Sequence, residues 1–227
     1  MAWHGCCIAV DMTSLHHPHP HAASRHAPAA ALDISALLGP AAWQQLSPAI
    51  RRRFASHHAP VCYGGQMELR TSRIGQVFAA LAQILGSPLA GRRAGLVATQ
   101  VQVQGDGQGG VVWARQLGEP GSAGSQTVRS TKRLGPGGGL EECTDGGLAM
   151  DLAVCVEDGA LVFYSRRYFC QLGRWRLPVP AWMTPGVCRV EHRDVGPGQF
   201  RFTMTMQHPL WGQTFYQSGV FVDPVEC

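Results

Sequence analysis

The sequence predicts an α+β domain in which N-terminal helices pack on a large curved antiparallel β-sheet or partial β-barrel. Three observations carry this. Only 15% of the 227 residues are charged, while 28 glycines and 15 prolines punctuate the chain, against a usual charged quarter. The hydrophobic period changes from 3.6 to 2 near residue 94. Beyond that point the gaps between apolar runs are too short for crossover helices, so consecutive strands pair antiparallel. The low charge excludes a coiled coil or helical bundle. Area scaling buries about 70% of the surface of a chain this long, enough for one substantial domain.

Residues 1–30 read as a disordered leader in which His16, His17, His19, His21 and His26 alternate with prolines and alanines. Prolines at that density block helix and ladder alike. The tract could bind metal, but a flexible tract has nothing to fix the ring tautomers, so an unconstrained tail is the favoured reading. A single globular domain is expected over 31–227, with helices at about 33–86 and the sheet at about 94–222. Asp33 is the N-cap of a first short helix. Ser47 followed by Pro48 opens a second over Ala49–Phe54. The clearest helix runs from Ser72 to Leu85, with Ile74, Val77, Phe78, Leu81, Ile84 and Leu85 on one stripe expected to face the core. Gly86 and Pro88 end it.

Val97, Thr99, Val101 and Val103 then alternate with Ala98, Gln100, Gln102 and Gln104. Further strands are expected at 110–117, 125–133, 147–156, 159–170, 187–194, 199–207 and 211–222. Asp158-Gly159 is a hairpin turn, and Gly196-Pro197-Gly198 another. Phe200, Phe202, Met204 and Met206 share one strand face, opposite Arg201, Thr203, Thr205 and Gln207, the pattern of a sheet with one dry side.

The formal charge of +4 comes from scattered arginines and a single lysine, Lys132. Nucleic-acid binders concentrate basic residues on one face, so no nucleic-acid partner is expected. No apolar run reaches transmembrane length. The start, interrupted by Asp11, lacks a basic n-region and does not read as a signal peptide. Eight cysteines without a C-x-x-C pair fit reduced thiols and a cytoplasmic location.

Gly105-Asp-Gly107-Gln-Gly109-Gly110 matches G-x-G-x-x-G in form, but the strand-like Val111-Val112-Trp113 follows where a dinucleotide site needs a helix. Gly135–Gly139 lacks the Gly-Lys-Ser/Thr of a P-loop. Neither G-x-S-x-G nor H-E-x-x-H occurs. His57 and His58 diverge as neighbours, and His192 and His208 lie on different strands, so no metal and no cofactor are expected.

Special residues concentrate toward the C-terminus. Tyr164, Arg166, Trp182, Glu191, Met204, Trp211 and Tyr216, with Arg115, are the candidate ligand-binding residues of an open concave sheet. Glu191 and Arg115 are the preferred polar groups, and either could equally be half of a structural ion pair. No catalytic residue can be assigned. The first functional reading is a domain binding an apolar or lipid-like small molecule in the concave face of its sheet. The second is an enzyme using Glu191, His192 or Tyr216 as acid or base, although Glu191 and His192 should face opposite ways on a strand. The third is a module docking its aromatic face on a protein or membrane surface. An enclosed apolar cavity of a few hundred Å³ would favour the first.

Several stretches resemble the bacterial family of domain of unknown function 4166. They are Leu46-Ser-Pro48 leading to Arg53-Phe54, Tyr63-Gly-Gly65-Gln-Met67, Trp113-Ala-Arg115-Gln-Leu117 and Leu177-Pro178-Val-Pro180. Val190-Glu191 and Pro209-Leu210-Trp211-Gly212 with Tyr216 complete the set, over about Leu37 to Asp223. Leu117 departs from an aromatic in the family pattern, and Ser218 from a glycine. The resemblance implies no activity and no catalytic residues, because the family has none agreed.

Overall fold

The computed structural model describes residues 31–55, 60–84, 95–119, 121–122 and 125–224. The leader at 1–30, the His57-His58 pair and the Gly86–Pro88 stop lie outside them. No helix among the described residues is long and apolar enough to cross a membrane.

Antiparallel strands make up most of the molecule, and their ring is closed. In chain order they are β1 (Val61–Thr71), β2 (Gly95–Gly105), β3 (Val111–Leu117), β4 (Gln126–Leu134), β5 (Leu140–Thr144) and β6 (Leu148–Glu157). Then come β7 (Ala160–Leu172), β8 (Trp175–Val179), β9 (Val187–Gly196), β10 (Gln199–His208) and β11 (Gly212–Val222). β1 to β7 pair in sequence, β7 pairs with β9, and β11 returns to β1 from Gly64↔Val222 to Thr71↔Phe215. The expected curved sheet is therefore a closed barrel of ten strands, with β8 an additional partner of β7. Period-2 alternation sends Tyr63, Met67, Val101, Phe163, Phe202 and Met204 into the core, where all are buried.

Closure requires a close approach at one seam. A side chain at Gly65 would collide with the Phe221 ring and the Val220 carbonyl, and one at Gly219 with the backbone of Gln66 and Met67. Glycine at both positions lets Phe221 lie across β1 and stack on Phe200, ring centroids 5.5 Å apart.

β7 changes partner partway along. Leu161–Tyr164 pair with β9 and Tyr168–Leu172 with β8. Between β8 and β9 the chain leaves the ladder through a 3₁₀ turn at Ala181–Met183. Side chains bridge the break: Ser165 Oγ accepts from the Cys188 amide at 2.8 Å, and the Tyr168 hydroxyl donates to the Gly186 carbonyl at 2.9 Å. On its other edge β7 carries a bulge at the same level, between Asp151 and Leu152 of β6.

Three short helices precede the barrel: α1 (Ile34–Leu38), α2 (Pro40–Gln44) and α3 (Pro48–Arg53). Asp33 caps α1 by accepting from the Ser35 and Ala36 amides, and Ser47 caps α3 by accepting from Ile50. Phe54, just past α3, enters the end of the barrel where β1 begins, called the lower end below. Its ring lies 5.8 Å from Trp113, 6.0 Å from Phe163 and 4.8 Å from His192. α4 (Arg73–Ile84) follows β1 at the upper end. The expected core stripe divides: Phe78 is buried, while Val77, Leu81 and Ile84 are exposed. The helix instead buries Gly75, Ala79 and Ala82 beside Phe78. A Cβ at Gly75 would strike the Thr214 carbonyl, so the small-residue side is the one that can approach β11.

Arg53 ties the helices to the last strand. Its guanidinium donates to both Asp223 carboxylate oxygens at 2.7 Å, lies 3.8 Å over the Phe200 ring and is 2% exposed. Asp223→Ala would strand this charge and should lower stability by about 3 kcal/mol, read as a lower urea midpoint at constant m. The double variant Arg53→Met/Asp223→Ala should recover most of that loss. A double variant no more stable than the single one would show that the pair is not its source.

Candidate functional site

The interior of the barrel is not completely filled. A cavity of about 100 Å³ lies between the lower aromatic plug and the upper strand ends. Its walls are mostly apolar, and four methionines line it: Met67, Met150, Met204 and Met206. Trp113, His192 and Phe200 form its floor above Phe54. Toward the upper end the lining residues Val128, Thr144, Leu148 and Met150 are partly exposed, and they mark the opening.

One wall of this apolar space is charged. Arg115 on β3, Ser130 and Lys132 on β4 and Glu142 on β5 are cross-strand neighbours whose side chains all turn inward. Lys132 Nζ lies 3.1 Å from Glu142 Oε2, and Arg115 is 3.7 Å from Oε1. Ser130 Oγ donates to Glu142 Oε1 at 2.6 Å and accepts from Arg115 at 3.0 Å. Burial alone would raise the Glu142 pKa, but the attraction of Lys132 and Arg115 and the Ser130 hydrogen bond outweigh it, so it falls below the usual carboxylate range. Lys132 Nζ also sits 5.4 Å from the Trp113 ring and 5.5 Å from Phe163.

His192 is enclosed by rings, with Phe54, Trp113, Phe163, Phe200 and Phe202 around it. Burial first, then the positive charges of Lys132, Arg53 and Arg115, push its pKa well below the ordinary histidine value. It is a neutral imidazole at neutral pH. Its Nδ1 and the Nε of Arg115 are buried with no hydrogen-bond partner among the described residues. Nearby, burial also pushes the Cys188 thiol up to about 12, so it is an inert apolar wall group. Cys143, Cys155 and Cys170 are, like Cys188, free thiols.

Of the candidate residues, the fold brings Arg115 and Met204 into this cavity. Tyr164 and Glu191 belong to the outer face of β7 and β9. There Arg189 donates to Glu157 and to the Tyr164 hydroxyl and lies 2.8 Å from Glu191, which also accepts from Arg193 at 2.7 Å. Arg166 is exposed beside the β7 bulge, and Trp182 is exposed on the 3₁₀ turn. Trp211 stacks 4.2 Å from His208 at the upper rim, and Tyr216 faces outward beneath Arg70. Glu191 and Tyr216 therefore do not share a pocket with His192. Among the described residues no three His, Cys, Asp or Glu side chains gather as a metal site.

The inward Lys132, Glu142 and Ser130 went unread in the sequence. The alternation Val128, Ser130, Lys132 was visible, but Arg129 and Arg133 flank it and nothing local tells which face turns inward.

His192 generates a pH prediction. Its folded pKa lies below its unfolded value, so below about pH 6.5 the unfolded chain binds a proton that the folded state refuses. Stability should fall with decreasing pH by up to about 1.4 kcal/mol per unit from this group, starting near 6.5. Denaturant midpoints between pH 7.5 and 5 should show the slope, and His192→Phe should flatten it. An unchanged slope in that variant would place the proton uptake elsewhere.

Residues 46–221 match the family described as Domain of unknown function (DUF4166). No curated protein matches the chain. The matched span runs from before α3 to Phe221 and takes in every cavity-lining residue. The plug, the ten-strand ring and the charged wall thus all lie within one family match, and the chain belongs to the family of domain of unknown function DUF4166.

Proposed function

We propose that this barrel binds an apolar or lipid-like small molecule in its interior. The supporting observation is the cavity itself, an apolar space with a few convergent polar groups inside a closed barrel, the common form of a small-molecule site. At about 100 Å³ it is smaller than expected from the sequence. The four methionines make up part of the difference, since unbranched thioether side chains repack readily around a ligand. A single slender chain suits the space better than a fused-ring body.

Native mass spectrometry of protein purified from its own host, followed by lipid extraction, should show a co-purifying apolar ligand. Met204→Trp should fill the cavity and weaken that ligand's binding by at least about tenfold while leaving the circular dichroism spectrum unchanged. A ligand-free native protein that also fails to take up alkyl chains in solution would end this reading.

A second observation favours a surface-docking reading for the same molecule. Trp175, Leu210 and Trp211 stand at the upper end of the barrel by strand register, with Leu81 and Ile84 on α4 and Trp182 on the 3₁₀ turn after β8, and all six are large exposed apolar side chains. Arg174 lies over the Trp175 ring at 5.3 Å, which suits an interfacial position beside anionic headgroups. Co-sedimentation with vesicles containing phosphatidylglycerol should be detectable and should weaken severalfold in a Trp175→Ala/Trp182→Ala variant. Equal sedimentation of both proteins would remove this reading and leave the cavity reading intact.

A further inference from the structure

The charged wall is out of balance. Arg115 and Lys132 bring two positive charges to the cavity, and Glu142 is the only carboxylate among the described residues that line it. Lys132 and Glu142 are each less than a tenth exposed, and Arg115 is 14% exposed at its side chain. His192, facing them from β9, is neutral and supplies no compensation. Arg53, below the floor, is matched by Asp223. One positive charge is therefore left over in an apolar interior, where an unpaired ion is costly. The same wall holds an unused donor, the Arg115 Nε, and across the cavity the unpartnered His192 Nδ1.

These features are what a bound anion would satisfy. Resting on the ligand-binding reading above, we propose that the ligand is an apolar chain ending in a carboxylate, seated against Arg115 and Lys132 on the charged wall. A carboxylate carries one negative charge, equal to the excess, and its two oxygens match the Nε edge of a guanidinium. A phosphate monoester would bring nearly two charges and overshoot. Glu142 sets this preference. By holding Lys132 on one oxygen and Arg115 near the other, it leaves the pair attractive to a single anion while fixing both side chains. Ser130 locks that arrangement from below Arg115. The chain of the ligand then runs over Met67, Met204 and Met206.

Octanoate, 1-octanol and octyl phosphate, titrated into delipidated full-length protein at pH 7.5 and followed by calorimetry, separate the outcomes. Octanoate should bind at least about tenfold more tightly than octanol, and the advantage should persist in 0.5 M salt because the pair is buried. Arg115→Met should reduce the advantage of octanoate over octanol to under about threefold. Glu142→Gln, which adds to the positive excess, should tighten octanoate severalfold, so the proposal stays testable if Arg115→Met does not fold. Equal binding of octanoate and octanol would overturn the carboxylate assignment and leave the apolar site standing. Tighter binding of octyl phosphate would likewise overturn it. Binding of none of the three would overturn both readings.

Discussion

The pairing of the first strand with the last holds the rest of this structure in place. Once β11 lies against β1, every strand in the ring has two neighbours, and β8, paired with β7 alone, is left outside it as an edge. That closure rests on two missing side chains, at Gly65 and Gly219, where any Cβ would force the strands apart. It also brings Asp223, just past β11, to the end of α3, so the Arg53 ion pair joins the beginning of the described chain to its end. The aromatic plug follows from the same step, because Phe54 enters the barrel beside the residue that is clamped.

A closed ring fixes the inside as firmly as the outside, and the inside is where this molecule accepts cost. Replacing Arg115, Lys132 and Glu142 with aliphatic side chains of similar volume would be expected to make the barrel more stable, as with other buried ionic groups. Their presence, with His192 neutral amid five rings, is a departure from the simplest core. Such departures gather where a fold does something besides fold.

Much of the architecture was legible in the sequence. The strands at 187–194, 199–207 and 211–222 alternate cleanly, and Phe200, Phe202, Met204 and Met206 do face inward together. Asp158-Gly159 forms the expected tight turn, with positive φ at both residues. β1 was hidden because Gly64 and Gly65 interrupt its alternation, and the reason for Gly65 lies in a strand more than 150 residues away. β5 was hidden because Glu141 and Glu142 look like an exposed acidic pair. The pleat sends Glu141 outward to Arg176 and Glu142 inward to Lys132. Both are buried, Glu141 under Arg176 on the outer face and Glu142 beside Lys132 inside, and only the register decides which is which. Closure of the ring was equally beyond local pattern, since pairing of β1 with β11 is a property of the whole chain.

The partner change along β7 has one more consequence. Between Tyr164 and Tyr168 this strand has lost its ladder toward β9, and the bulge beside β6 loosens it on the other edge. Two side-chain hydrogen bonds, from Ser165 and Tyr168, stand in for backbone pairing there. On either side of this point β7 is held by consecutive amide–carbonyl bonds. At this point it can part laterally by releasing those two, next to Tyr168, Pro185 and Cys188 of the cavity lining. The barrel thus carries one stretch of wall held by two side-chain bonds in place of a run of backbone ones, and stretches of that kind open locally at lower cost than the ladder around them.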